Sequence, residues 1–404
     1  MSLLLRSLIR PTCAVCARGP PSKLLLLPSA AASLRLSGKR FVVLGTSLTE
    51  GQTVRQRKII GAWLLGCAGM VYGAVALGGV TRLTESGLSI VNWDLLKGMK
   101  PPLSEAEWEQ EFHKYKQFPE FQFKGGQEEI TLEKFKFIWS MEYLHRMWGR
   151  AIGLAFLIPC GYFWAKGRFS APMKKRMAFA GVLLVSQGLI GWWMVKSGLD
   201  PSQNSRSDVP SVSQYRLAAH LSSAFVLYTV FLWTGLSHIL TPYDHTNVPK
   251  IGRLRGLAHS TKTWIFLTAV MGAFVAGLDA GLVYNSWPKY ADKWIPDGLT
   301  TKEPKWRNLF ENQVTVQFIH RNLAYLTLAS VTATWLIGRR MALGPRAKVA
   351  LHGLMVMGYT QALLGIVTLV NYVPVWLGAL HQSGSMALIT FAFWLTSELR
   401  RVPK

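Results

Sequence analysis

MEYLHRMWGR, residues 141–150, stands inside an otherwise apolar stretch, FIWSMEYLHRMWGRAIGLAFLIPCGYFW, that runs from Phe137 to Trp164. Glu142, His145, Arg146 and Arg150 would each be costly in a bilayer. Two readings compete. The segment is either a polar-faced helix in a soluble core or a membrane span whose ionisable residues serve a function. The rest of the chain decides between them.

Of the 404 residues, 50% are hydrophobic and only 16% charged, against about 25% charged in a typical soluble domain. Mean hydropathy is +0.21. Composition therefore favours a membrane protein. The formal net charge of +24 does not point to nucleic acid, because the basic residues form no single patch; they concentrate in the first 58 residues and in short loops. Among the 4 cysteines, Cys13 and Cys16 form a C-x-x-C without a second pair, which is a weak metal or redox signal. Cys67 and Cys160 lie in apolar helices, where a thiol packs as a small hydrophobe.

Residues 1–49 contain no acid, yet Arg6, Arg10, Arg18, Lys23, Arg35, Lys39 and Arg40 are spread among Leu, Ser and Ala. This is the composition of a mitochondrial transit peptide, placed at 1–50. Beyond it, apolar runs near 59–80, 137–164, 177–195, 215–240, 257–278, 315–337, 347–370 and 376–397 approach the roughly 20 residues of a spanning helix. Lys166, Arg168, Lys174, Lys175 and Arg176 follow the second run, and Arg339, Arg340, Arg346 and Lys348 follow the sixth, without acids. The loop at 81–135 carries Glu105, Glu107, Glu109 and Glu111. By the positive-inside rule, the basic loops and both termini face the matrix and the long loops face the intermembrane space.

The chain also repeats. EYLHR (142–146) matches QFIHR (317–321), RLAAHLSS (216–223) matches LGALHQSG (377–384), QGLIGWWMV (187–195) matches QALLGIVTL (361–369), and YGAVALGG (72–79) is set against MGAFVAGL (271–278). The expected fold is an all-α polytopic membrane protein. Eight transmembrane helices form two four-helix bundles, 59–240 and 257–398, joined by a matrix linker at 241–256 and related by a pseudo-twofold axis.

That repeat sorts the 9 histidines. His145 pairs with His320 and His220 with His381, all at one depth, whereas His113, His238, His245, His259 and His352 have no counterpart. Two opposed imidazoles within each bundle suit a haem with axial nitrogen ligands; a zinc site would gather three or four ligands. The halves differ one turn before the first histidine, where Glu142 stands against Gln317. A carboxylate accepts a proton and an amide does not. Glu142 is thus a catalytic acid/base candidate, or else a structural partner of Arg146 or Arg150.

On E-x-x-H-R (142–146), R-L-A-A-H (216–220), Q-F-x-H-R (317–321), L-H-Q-S (380–383) and GGVTRLTESGLSIVNW (78–93), the chain resembles the haem A synthase family over essentially its whole mature length. The resemblance implies oxidation of a pyrrole methyl group of haem O to a formyl group, in successive steps, to give haem A for cytochrome c oxidase in the mitochondrial inner membrane. It implies that His145 and His220 hold the substrate haem, that Glu142 is catalytic, and that His320 and His381 ligate a haem b cofactor. Arg146 and Arg321 are candidates for propionate or proton partners. The implied electron donor is a mitochondrial ferredoxin system; haem O synthase, cytochrome c oxidase assembly factors, membrane lipid and a second copy of the chain complete the expected partners. Some bacterial relatives carry a cysteine pair in the first external loop, and this chain has no Cys between 81 and 135.

With two histidines on the substrate iron, either one ligand releases during turnover or the methyl group is oxidised by stepwise electron loss with water as the oxygen source. The residues leave both open; the resemblance implies the second. In the long loop, SEAEWEQEFHKYKQF (104–118) reads as a helix capped by Ser104 with Glu107 at the capping-box position, its amphipathic face on the membrane surface. The rival functions are a dihaem b-type electron-transfer cytochrome and a transporter.

Overall fold

The computed structural model describes residues 53–90, 92–93, 97–124, 130–200, 211–241 and 243–400. The transit-peptide reading at 1–50 lies outside them. The described residues are helical, with a single isolated bridge between Tyr290 and Lys293. The helices are α1 (Val54–Leu83), α2 (Glu105–Tyr115), α3 (Pro119–Lys124), α4 (Leu132–Ala165), α5 (Ala171–Leu199), α6 (Gln214–Ile239), α7 (Ile251–Gly277), α8 (Asn308–Glu311), α9 (Gln313–Gly338), α10 (Pro345–Val370) and α11 (Val375–Glu398).

The eight apolar runs correspond to the eight long helices, each extended by polar turns and caps. Thr53 and Gln56 form a capping box at the start of α1. Thr131 accepts from the Lys134 amide at α4, and Asn312 accepts from Val314 and Thr315 at α9. Proline opens α10, where its missing N–H is no loss. The linker is shorter than expected, since residues 251–256 already belong to α7.

Four helices, α1, α5, α6 and α10, are long and apolar enough to cross a membrane. The other long helices break their apolar stretches with polar residues: Glu142, His145 and Arg146 in α4, His259–Thr263 in α7, Gln317–Asn322 in α9, and His381–Ser383 in α11. Three of those four interruptions contain the paired histidines, so the loss of hydropathy and the candidate site have one cause.

Helix α1 packs against α4, α6 and α11; α6 against α5 and α7; α7 against α9 and α11; and α10 against α9 and α11. The shared core includes Leu64, Phe156, Phe231, Leu254, Leu351 and Met386. Hydroxyls add directional contacts: Thr261 Oγ1 of α7 lies 2.7 Å from Ser330 Oγ and 2.8 Å from Thr334 Oγ1 of α9, the kind of small polar pairing that joins helices away from water. Outward aliphatic side chains on α4, α5 and α10, such as Ile158, Val182, Leu189 and Val356, remain exposed.

Ser104 caps α2 by accepting from the Glu107 amide, as expected. Glu107 reaches back to the Leu103 amide rather than to Ser104. The apolar face of α2 does not lie on a membrane surface. Trp108, Phe112 and Tyr115 pack on Phe135 and Trp139 of α4, because α4 starts well before the apolar run and offers aromatic partners there.

Candidate functional site: two facing histidine pairs

Each of the four repeated histidines lies with its ring edge against a glycine of a neighbouring helix. A Cβ added to Gly78 of α1 would stand 2.9 Å from Cε1 of His145. The corresponding distances are 3.3 Å from Gly191 of α5 to His220, 3.1 Å from Gly272 of α7 to His320, and 2.9 Å from Gly365 of α10 to His381. Contacts under about 3.4 Å displace a ring, so any larger residue would move the imidazole. His320 and His381 face each other, with ring centroids 6.4 Å apart and planes at 89°. Two metal–imidazole bonds of about 2 Å each, plus the half-width of each ring, span about that separation. His145 is close enough to His220 to act on it electrostatically.

Polar groups sit beside Nδ1 in three of the four rings; only at His320 is the partner a carbonyl, which takes an Nδ1–H and leaves the Nε2 lone pair free. His320 Nδ1 lies 3.0 Å from the Thr268 carbonyl. The Gln361 side-chain nitrogen lies 3.2 Å from His381 Nδ1 and donates to the His381 carbonyl at 2.8 Å. Gln187 does the same for His220 once its amide is oriented to satisfy its neighbours, at 3.1 Å from Nδ1 and 3.2 Å from the carbonyl. His145 differs from the other three, since its Nδ1 is buried with no hydrogen-bond partner.

Glu142 is 3% exposed. Its Oε2 accepts from Ser89 Oγ at 2.7 Å and from the Ile90 amide at 2.8 Å, and its Oε1 accepts from Arg146 Nη2 at 2.6 Å. Arg146 also donates to the carbonyls of Ile90 and Asn92, both at 2.8 Å, and its guanidinium lies 4.4 Å from the centre of the Trp93 ring. The sequence alternatives for Glu142 included an ion pair with Arg146, and that pair is present. Together the two residues clasp the segment that follows α1.

Gln317 and Arg321 hold the segment after α7 in the same way. Gln317 donates to the carbonyls of Ala280 and Tyr284 at 2.9 and 3.1 Å. Arg321 donates to the carbonyls of Ser286, Pro288 and Lys289 at 3.1–3.4 Å and lies 3.9 Å from the Tyr290 ring centre. The amide and the guanidinium make no ion pair, so this clasp carries no acid. Both arginines, considered from sequence as propionate or proton partners, are directed to loop carbonyls.

The named residues thus fall into two groups, with His145, His220, Glu142 and Arg146 in one and His320, His381, Gln317 and Arg321 in the other. Among the described residues, no three His, Cys, Asp or Glu side chains gather as a metal-ion site; the donor set is pairs of imidazoles, which suits haem iron. Sequence reasoning missed the four glycines and the orienting Gln187, Gln361 and Thr268. The signal was present in QGLIG and QALLG, whose Gln and Gly are the residues holding His220 and His381. It was misplaced in α1 and α7, where Gly78 corresponds to Gly272 by its seat, not to Gly277 as the match of YGAVALGG to MGAFVAGL implied.

Comparison with known proteins gives the family. Residues 61–393 match the cytochrome oxidase assembly protein family COX15-CtaA. The chain is 55% identical over 360 residues to heme A synthase COX15 of Bos taurus, covering 89% of this chain and 86% of the relative. It is 43% identical over 374 residues to heme A synthase COX15 of Saccharomyces cerevisiae, covering 86% and 76%, and 42% identical over 344 residues to the heme A synthase of Parvibaculum lavamentivorans, covering 84% and 94%. With a match across the two histidine pairs and their clasps, this chain belongs to the COX15-CtaA family of cytochrome oxidase assembly proteins.

Proposed function

We propose that this chain is a haem A synthase of the mitochondrial inner membrane, oxidising a pyrrole methyl group of haem O to the formyl group of haem A. The observation that carries the reading is the pair of facing histidine sites, alike in seating but with a buried carboxylate beside only one. His145 and His220 hold the substrate haem. His320 and His381 hold a haem b, which supplies one-electron transfer when bound. The eight long helices all span the membrane as two pseudo-twofold-related bundles, with both termini and the basic loops in the matrix. A mitochondrial ferredoxin system is the electron-transfer partner.

The conversion of CH3 to CHO takes up one water and releases four protons and four electrons, in two two-electron stages; on this route the ferredoxin partner, expected from sequence as a donor, would instead take up those electrons one at a time through the haem held by His320 and His381. The chain's contribution is position and proton transfer. The two histidine pairs are seated alike against glycines; on this reading, as the family resemblance implies, both His145 and His220 stay on the substrate iron and water is the oxygen source. Glu142, one helical turn from His145, accepts a proton released at the reacting carbon. Three donors, Ser89 Oγ, the Ile90 amide and Arg146 Nη2, hold its carboxylate in place. In the second half Gln317 holds its loop without titrating, as suits a site that only relays electrons.

Haem extraction and chromatography on the full-length protein, purified from cells that supply haem O, tests this function. Haem b together with haem O or haem A is expected. Haem b alone in both sites would instead identify an electron-transfer cytochrome that leaves its haems unaltered.

A further inference from the structure

At the far end of the helices from the histidines, the start of α1 meets the ends of α6 and α11. Arg57 Nη2 donates to the Ser237 carbonyl at 2.7 Å. Arg400 Nη1 donates to Ser237 Oγ at 2.9 Å and to Ser397 Oγ at 3.4 Å, and its Nη2 donates to the Leu240 carbonyl at 2.9 Å. Two guanidinium groups therefore converge on one residue. Part of this is ordinary helix capping, since cations at a helix C-terminus satisfy its last carbonyls and oppose its dipole.

Capping does not account for the rest. The Nε of Arg57 and the Nε of Arg400 are each buried without a hydrogen-bond partner. Both arginines, with Arg176, act electrostatically on the buried imidazole of His238. The carboxylate that acts on Arg400 is Glu398, and it is already engaged by Arg346 at 2.9 Å and by Trp394 Nε1 at 3.3 Å. Like charges are thus packed together with donors to spare, an arrangement that an anion with several oxygen acceptors relieves. The outer face of the same turn of α1 forms a hollow lined by Val54, Arg55, Lys58, Ile59 and Ala62. Three of these side chains are apolar and two are basic.

We propose that Arg57 and Arg400 bind the phosphate of an anionic phospholipid, whose acyl chains run along the exposed Val54 and Ile59 face of α1. Basic pockets at the ends of membrane helices recognise such headgroups. The proposal rests on reading α1, α6 and α11 as membrane spans, and it is independent of the haem chemistry, so its failure would leave that chemistry untouched.

The test is made on the full-length protein, delipidated in a zwitterionic detergent. Phosphatidylglycerol, phosphatidylcholine with the same chains, or inorganic phosphate is added, and retained lipid is read by native mass spectrometry beside the thermal unfolding midpoint. Phosphatidylglycerol is expected to remain bound and to raise the midpoint, with phosphatidylcholine and phosphate giving neither effect. The Arg57→Gln/Arg400→Gln protein should lose both effects, and Arg340→Gln, at an exposed arginine, should keep them. Equal retention by the double variant, or equal effects of phosphatidylcholine, overturns the proposal. A full response to inorganic phosphate overturns the lipid assignment. If the double variant does not fold, Arg400→Lys decides; it keeps the charge but not the fork, and binding weakened by less than about threefold overturns the proposal.

Discussion

Gly365 of α10 faces the ring of His381 so closely that a single added methyl would lie 2.9 Å from Cε1. Overpacking of this kind costs about 1–3 kcal/mol, and at a ligand it acts on ring position first. Gly365→Ala is expected to lose or shift the haem b spectrum while leaving the substrate haem in place. Gly78→Ala should do the reverse. Gly191→Ala, with 3.3 Å available, should be milder than either. Redox titration and low-temperature spectra of each variant check the order. Equal effects at both haems from either substitution would show that the glycines act on the fold as a whole.

Glu142→Gln keeps the shape of the side chain and removes its charge and its proton affinity. Loss of a general base lowers rate by about 10²–10⁴-fold. The variant is expected to retain haem b and accumulate haem O or a partly oxidised haem. Arg146→Ala is different, because it leaves a buried carboxylate unpaired at a cost of about 3–5 kcal/mol, and should lower the unfolding midpoint as well as activity. Haem chromatography and thermal unfolding on the two proteins separate chemistry from clasp. Normal haem A formation by Glu142→Gln would reduce Glu142 to a structural role.

Among the four paired histidines only His145 has an Nδ1 without a partner, and as a ligand an unheld imidazole would bind metal less firmly. Added azide or imidazole should therefore displace a ligand at the substrate site before the haem b site. The check is an optical titration, comparing wild type with His145→Ala. The variant should hold substrate haem with one axial position open, while His220→Ala should lose more of it. Equal response of the two haems would remove any distinction between these ligands.

In the loop before α7, His245 Nε2 accepts from the Gly344 amide at 3.0 Å, and the side chain is buried. Burial lowers its pKa below the ordinary 6.5, with Arg255 lowering it further, while the Tyr243 backbone and the carboxylates of Glu398 and Asp244 act the other way. A group with a lowered folded pKa lets the unfolded chain take the proton first. Its contribution is complete above 6.5 and is lost as pH falls through the folded value. Thermal unfolding between about pH 5 and pH 8 should show falling stability on the acid side, with a flatter profile in His245→Gln. An unchanged profile in that variant would place the titration elsewhere.

The helices, the paired histidines and the Glu142/Gln317 difference were legible because they are local. Hydropathy along a segment sets a span, and a repeated motif needs no knowledge of what it touches. The lie of α2 was misread for the same reason. Its apolar face was visible, but its partner, Phe135 and Trp139 at the start of α4, was not. Arg146 and Arg321 stood from sequence as charges for propionates or as partners of Glu142; Arg146 does pair with Glu142, and both guanidinium groups also donate to backbone carbonyls of preceding loops.

By itself, the sequence determined that this is a chain of long apolar helices in two matching halves, with four histidines at matching places and one carboxylate without a counterpart. Only tertiary structure decided which glycine lies against each ring, which glutamine lies beside His220 and His381, that Glu142 is also tied to Ser89 and Ile90, and that Arg57 and Arg400 converge on Ser237. Those partners are far apart along the chain, as Gly78 is from His145 and Arg57 from Arg400. Periodicity carries information about which face of a helix is apolar, but which residue of another helix fills the space beside it depends on packing at contact distance.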